Sequence, residues 1–227
     1  MPASLADRLR ADTKALHTAA ERSTFMRALL RGELTRDAYC ALLRNLHAVY
    51  AAMEPALARH AARPELAPFQ MHALRRAGVL LDDLSALQGL ERHGETALRQ
   101  STLTYVQRLH ELDAVEPELL LAHAYVRYLG DLSGGQILRG IVARSLGTPG
   151  HTATAFYEFG DEQETQALSR SFRAALGDLV LGGSEIDALV EEAAWSFRLH
   201  RLMFDELAQE AGLTGTDAEG EQANAVA

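Results

Sequence analysis

The chain has 227 residues, a hydrophobic content of 48% and a formal net charge of -9. This length suits one well-buried domain, and the acidic balance disfavours nucleic acid or an anionic membrane as the main partner. Cys40 is the lone cysteine, which excludes an internal disulfide. The amino terminus carries no signal pattern, and no run approaches the roughly 20 apolar residues of a membrane span, so a cytoplasmic protein is expected.

Helical periodicity covers nearly the whole chain. Glycine and proline fall mostly at the joints: Gly32, Pro64, Pro68, Gly78, Gly89, Gly94, Pro117, the run Gly147 to Gly150, Gly160 and Gly182-Gly183. The pattern predicts an all-α, single-domain bundle over residues 1–212. From about residue 213 the sequence turns small and acidic, which predicts a disordered tail.

The first predicted helix carries Arg10, Lys14, His17 and Glu21 at i, i+4, i+7 and i+11. At 3.6 residues per turn these lie within about 60° of one another, beside an apolar strip of Leu5, Leu9, Leu16 and Ala20. Such a face also fits an ordinary exposed surface with salt-bridge spacing. The order of groups suits a ligand with anionic edges and a metal centre, the imidazole on the metal and the cations on carboxylates. Glu21 would then hold the other ring nitrogen. Lys14 is the only lysine in a chain that otherwise uses arginine.

Thr35 is a predicted N-cap for the helix through Tyr39, Leu42, Leu43, Leu46 and Tyr50. The most informative stretch follows later, AHAYVRYLGDLSGGQ from Ala122 to Gln136. It places Gly130, Gly134 and Gly135 inside one long apolar helical pattern, where each glycine costs roughly 1 kcal/mol against alanine. The apolar positions resume at Ile137, Leu138, Ile141 and Val142, which predicts a helix that bends at the glycines. Gly130 and Gly134 stand one turn apart and make a smooth notch, with Asp131 and Ser133 beside it. A glycine pair also fits a C-cap or close helix packing. Leu132 to Gln136 spells LSGGQ, a pentapeptide of ABC-type ATPases, but the chain has no GxxxxGK[ST] loop to accompany it.

Ser184 is the predicted cap of the last helix, with Glu185 and Asp187 in its first turn. That helix carries an inward stripe of Ile186, Leu189, Val190, Ala193, Phe197, His200, Phe204 and Leu207, interrupted by the polar His200.

The run LHTAAERSTFMR around His17 and the stretch AHAYVRYLGDLSGGQ resemble the proximal segment and the distal-helix signature of heme oxygenases. YVQRLHEL, PELLLAHAY and EEAAWSFRLHRLMFDEL follow the same family, so the resemblance runs from about Arg10 to Leu207. It implies a helical bundle holding heme b, both substrate and cofactor, between the first helix and a glycine-kinked distal helix. O2 and an external electron donor, a ferredoxin or flavoprotein reductase, would open the ring to biliverdin with release of CO and ferrous iron.

By position the resemblance makes His17 the iron ligand and Glu21 its partner. Gly130, Gly134 and Gly135, with Ser133, become the distal contacts. Asp131 anchors a distal water network helped by Arg127, Tyr50 and Tyr105, while Met26, Phe197 and Phe204 form apolar walls. Lys14, Arg173 and Tyr125 hold the propionates, with Arg10 at the rim, and the alpha meso carbon is the default site of cleavage. Two departures stand out: Ser169 replaces a basic propionate contact, and His200 stands where animal enzymes commonly carry asparagine. A monomer is expected. The alternatives are a heme carrier or sensor that leaves its ligand intact, and a module for another small ligand without iron.

Overall fold

The computed structural model describes residues 4–88, 97–147 and 153–213, and among these there are helices and no strands. The helices are α1 (Leu5–Glu21), α2 (Thr24–Arg31), α3 (Arg36–Arg59), α4 (Ala77–Gln88), α5 (Gln100–Val115), α6 (Leu120–Leu146), α7 (Glu162–Asp178) and α8 (Gly183–Glu210). Gly89, Gly94 and the stretch from Thr148 to Gly150 lie outside the described residues, as does the expected tail from Thr214 onward.

Local chemistry starts and stops most helices. The Ser4 hydroxyl accepts from the Asp7 N–H at 3.2 Å to open α1, and the predicted Thr35 cap accepts from Ala38 N–H at 3.2 Å to open α3. Asp161 and Glu164 exchange side-chain and backbone bonds at 2.8 Å in a capping box ahead of α7. Gly32 and Gly147 end α2 and α6 in the left-handed region, at φ 69° and 61°.

Two sequence expectations need correction. The cap of α8 is Gly182, and Ser184 sits inside the first turn, where Glu185 Oε2 accepts the Gly182 N–H at 2.6 Å. A carboxylate reaching back from the third position satisfies that donor, which leaves a serine cap unnecessary. Gly78 lies within the first turn of α4 and makes no joint.

One contiguous core joins all the helices. Leu9, Phe25, Leu43, Tyr50, Met53, Phe172 and Ala193 are wholly buried in it, and each large apolar side chain so placed contributes roughly 1.5–3 kcal/mol. α8 is the central support: α1, α2, α5 and α6 all pack against it. α3 packs on α4, α5 and α6. α6 runs as one helix of 27 residues with its helical hydrogen bonding continuing through Gly130, Gly134 and Gly135; Leu120, Leu121, Val126, Leu129, Leu132 and Val142 are buried on it, whereas Ile137 is exposed.

Candidate functional site

A cleft of about 630 Å³ opens between α1, α2, α6 and α8. It is continuous with a second cavity of about 540 Å³, and the two share His17, Val126, Gly130, Ser133 and Phe197. The sequence-predicted His17, Glu21, Met26, Gly130, Asp131, Ser133, Gly134, Phe197 and Phe204 line the larger chamber. Arg10, Lys14, Tyr125 and Arg173 line the smaller one. The ligand face of α1 is therefore partitioned, with imidazole and carboxylate in the apolar body and the cations at the mouth.

Side chains from α8 and α2 set the proximal wall. His17 Nδ1 lies 3.4 Å from Glu21 Oε2, leaving Nε2 as the second ring nitrogen. The His17 ring meets Phe197 edge-on at 5.8 Å. Arg201 Nη1 donates to the Ala19 carbonyl at 3.0 Å, which ties the last turn of α1 to α8 two residues from His17. Ser23 caps α2 by accepting from Met26 N–H at 3.3 Å and so presents Met26 to the cleft. Phe25 and Phe204 stack at 6.2 Å behind it.

Gly130, Gly134 and Gly135 of α6 divide into two kinds. A Cβ at Gly130 would meet nothing within 4 Å, and one at Gly134 only the Leu138 side chain at 3.9 Å. Their missing side chains are unexplained by packing and lie along the cleft. Gly135 is different: a Cβ there would come within 3.1 Å of the Tyr157 carbonyl oxygen, and Gly135 does not line the cleft. It lets the backbone of the segment 153–159 approach α6. That segment is clamped by Asp83, which accepts from Ala155 N–H at 3.1 Å and Phe156 N–H at 2.8 Å. Arg76 donates to the Glu158 carbonyl at 2.7 Å, and Tyr39 donates to that of Ala153 at 3.3 Å. Phe156 and Tyr157 are thereby fixed as cleft walls.

Asp131 stands at the centre of a buried polar cluster. It accepts from the Tyr50 hydroxyl and from Arg127 Nη2 at 2.6 Å, and Arg127 Nε donates to the Tyr50 oxygen at 3.2 Å. Burial pushes the Asp131 carboxyl above its ordinary range, opposed by the Arg127 charge and the Tyr50 bond. Ser133 lines the cleft, but its hydroxyl donates back to the Leu129 carbonyl at 2.7 Å, so its polar group serves the helix.

Tyr105, expected beside Asp131, joins the cluster one step away. Its hydroxyl bonds Ser196 Oγ at 2.6 Å and His123 Nδ1 at 3.0 Å, and it does not line the cleft. His123 Nε2 faces Glu192 Oε1 at 2.9 Å, and Arg108 adds two bonds to the same carboxylate at 3.1 and 2.7 Å. Burial keeps His123 neutral by pushing its pKa down, despite the attraction of Glu192. Burial pushes Glu192 up, but the bonds from His123 and Arg108 outweigh it and hold it at about 2. Sequence reasoning missed Glu192 and Ser196. Their signal was a polar stripe at i, i+4 and i+8 on α8, Glu192, Ser196 and His200, inside an otherwise apolar face.

At the mouth, Arg10, Lys14 and Arg173 are exposed, and Arg173 Nε lies 3.5 Å from Ser169 Oγ, so serine here supports the arginine. The donor set fits heme: one imidazole, an apolar slot, two glycines whose absent side chains leave room for a flat face, and cations at one end for carboxylates.

An all-helical bundle with this cleft is the architecture of a heme oxygenase, and the chain belongs to that family, whose profile matches residues 3–206. It is similar to heme oxygenase 1 of Nostoc sp., 38% identical over 207 residues that cover 91% of this chain and 87% of that one. Human heme oxygenase 1 is 35% identical over 91% of this chain and 73% of its own length. The crystal structure of heme oxygenase-1 from Synechocystis sp. in complex with heme superposes with a TM-score of 0.85 at 36% identity, covering 92% of this chain and 94% of that chain. No helix among the described residues is long and apolar enough to cross a membrane.

Proposed function

We propose that this chain opens heme b oxidatively to biliverdin, with release of CO and ferrous iron, using O2 and electrons from an external ferredoxin or flavoprotein donor. The single observation that carries the reading is the pair of cleft-facing glycines, Gly130 and Gly134, set in the same chamber as His17. Bound heme supplies the iron that activates O2 and the meso carbon that is attacked.

The protein's residues bind, orient and deliver protons. His17 presents Nε2 to the iron, and Glu21 holds Nδ1 and fixes the tautomer. Lys14 and Arg173, with Arg10 and Tyr125, would take the propionates of bound heme and so orient it. Gly130 and Gly134 present bare backbone to the cleft and would leave room on the distal side of a bound heme. Asp131 holds water and passes protons from a distance, since its carboxylate is occupied by Tyr50 and Arg127.

The test is a hemin titration followed by ascorbate or a reduced ferredoxin under O2. A Soret band that is lost in His17→Ala, and a wild-type product with biliverdin absorbance, are the expected results. Tight binding without ring opening would make the chain a carrier, and no binding would overturn the reading.

A further inference from the structure

We infer that His200 is a positioning residue: as a neutral imidazole protonated on Nδ1, it holds the Arg127 guanidinium against Asp131 and Tyr50 at the cleft wall. The inference rests on the function proposed above for its consequence, though not for its geometry.

His200 Nδ1 lies 2.9 Å from the Ser196 carbonyl oxygen. A carbonyl only accepts, so Nδ1 carries the hydrogen, and Nε2 is left with a lone pair. That lone pair meets Arg127 Nη1 at 3.1 Å. The opposite tautomer would set one N–H against another at the same distance. The ring is also locked in orientation, perpendicular to Tyr105 at 5.1 Å and tilted against Phe204 at 6.4 Å.

The guanidinium is thus held from three helices: Nε by Tyr50 of α3, Nη2 by Asp131 of α6 and Nη1 by His200 of α8. Arg127, Asp131 and His200 all line the cleft. Removing the α8 acceptor leaves Nη1 unpaired beside the substrate chamber, and the nearest relief is to swing into it. An arginine over the iron favours early cleavage of the O–O bond, whereas transfer of oxygen to the ring requires that bond to survive until it reaches carbon. An imidazole in this tautomer accepts at Nε2 and offers no proton there. A residue that could donate there would compete with Asp131.

The first test needs no heme. Long-range nitrogen–proton NMR of the ligand-free protein should show His200 fixed as the Nδ1–H tautomer, and an Nε2–H or averaging ring would overturn the proposal. The second compares His200→Leu with His200→Asn, whose amide oxygen can accept from Arg127. The Leu variant should bind hemin with wild-type affinity but lose several-fold in biliverdin yield, with heme bleached to other products, and Asn should restore most of that yield. Equal yields in Leu and wild type would sink the idea. If Leu unfolds the core, His200→Ala with added imidazole replaces it, and failure of imidazole to restore yield has the same meaning. If the wild type itself binds hemin and makes no biliverdin, the function reading falls, and the tautomer measurement alone decides the positioning claim.

Discussion

Asp131 Oδ1 accepts the Arg127 Nη2–H at 2.6 Å across one turn of α6, while its second oxygen accepts from Tyr50 of α3. Both carboxylate oxygens are thus engaged by protein donors at the cleft wall, and in the function proposed above the group would act through water. In Asp131→Ala both donors lose a buried acceptor, a cost of about 1–3 kcal/mol in stability. Hemin affinity should be kept because His17 lies on another helix, and biliverdin formation should fall about 100-fold or more, the usual reach of proton delivery. Soret titration and product absorbance check both halves, and ring opening at the normal rate would refute the role.

The two kinds of glycine on α6 make opposite predictions. Gly130→Ala adds a methyl into open space, so the ligand-free protein should gain up to about 1 kcal/mol from helix propensity while hemin binding weakens. Gly135→Ala drives its methyl to 3.1 Å from the Tyr157 carbonyl, on a segment that Asp83 and Arg76 hold in place. It should lose about 1–3 kcal/mol by overpacking. Urea denaturation of the two ligand-free variants separates the roles, and a shift of the same sign in both would contradict the assignment.

Lys14 and Arg173 are two of the three cations at the cleft mouth, one from α1 and one from α7. Each charge-assisted contact to a propionate is worth roughly 1.5–3 kcal/mol, enough to hold one rotation of the ring about its normal. Replacing both with leucine should raise the hemin Kd and broaden the biliverdin isomer mixture seen by chromatography. A single unchanged isomer would show that regiochemistry is set elsewhere.

Burial lowers the pKa of both His123 and His200, and for His200 the Arg127 charge lowers it further, well below 6.5. Below pH 6.5 the unfolded chain binds a proton on each ring that the folded chain refuses, so this contribution to stability is complete above 6.5 and is lost as pH falls. His200→Asn removes one such proton. Its stability should decline with falling pH less steeply than the wild type, by about 1.4 kcal/mol per pH unit. Burial raises the carboxyls of Glu54, Asp83 and Asp131, which act in the opposite sense but are present in both proteins. Urea midpoints at several pH values below 6.5 provide the measurement, and parallel slopes would mean that His200 titrates as an exposed histidine.

The sequence by itself determined the helices, most of their ends and the axis of the site. Periodicity, the Thr35 cap and the spacing of Arg10, Lys14, His17 and Glu21 at i, i+4, i+7 and i+11 are local properties, fixed by 3.6 residues per turn wherever the chain folds. What it could not separate were residues alike in local pattern and different in surroundings. Gly130, Gly134 and Gly135 read as one run, and only the approach of the segment 153–159 makes the last a packing glycine and leaves the first two facing the cleft. His200 read as an interruption in an apolar stripe, and its partners come from a carbonyl one turn away on α8 and an arginine on α6. Glu192 drew no notice until α5 and α6 brought Arg108 and His123 to it. A side chain's charge state and role depend on what desolvates it and what bonds it, and those neighbours are distant in sequence, so the tertiary structure alone decided them.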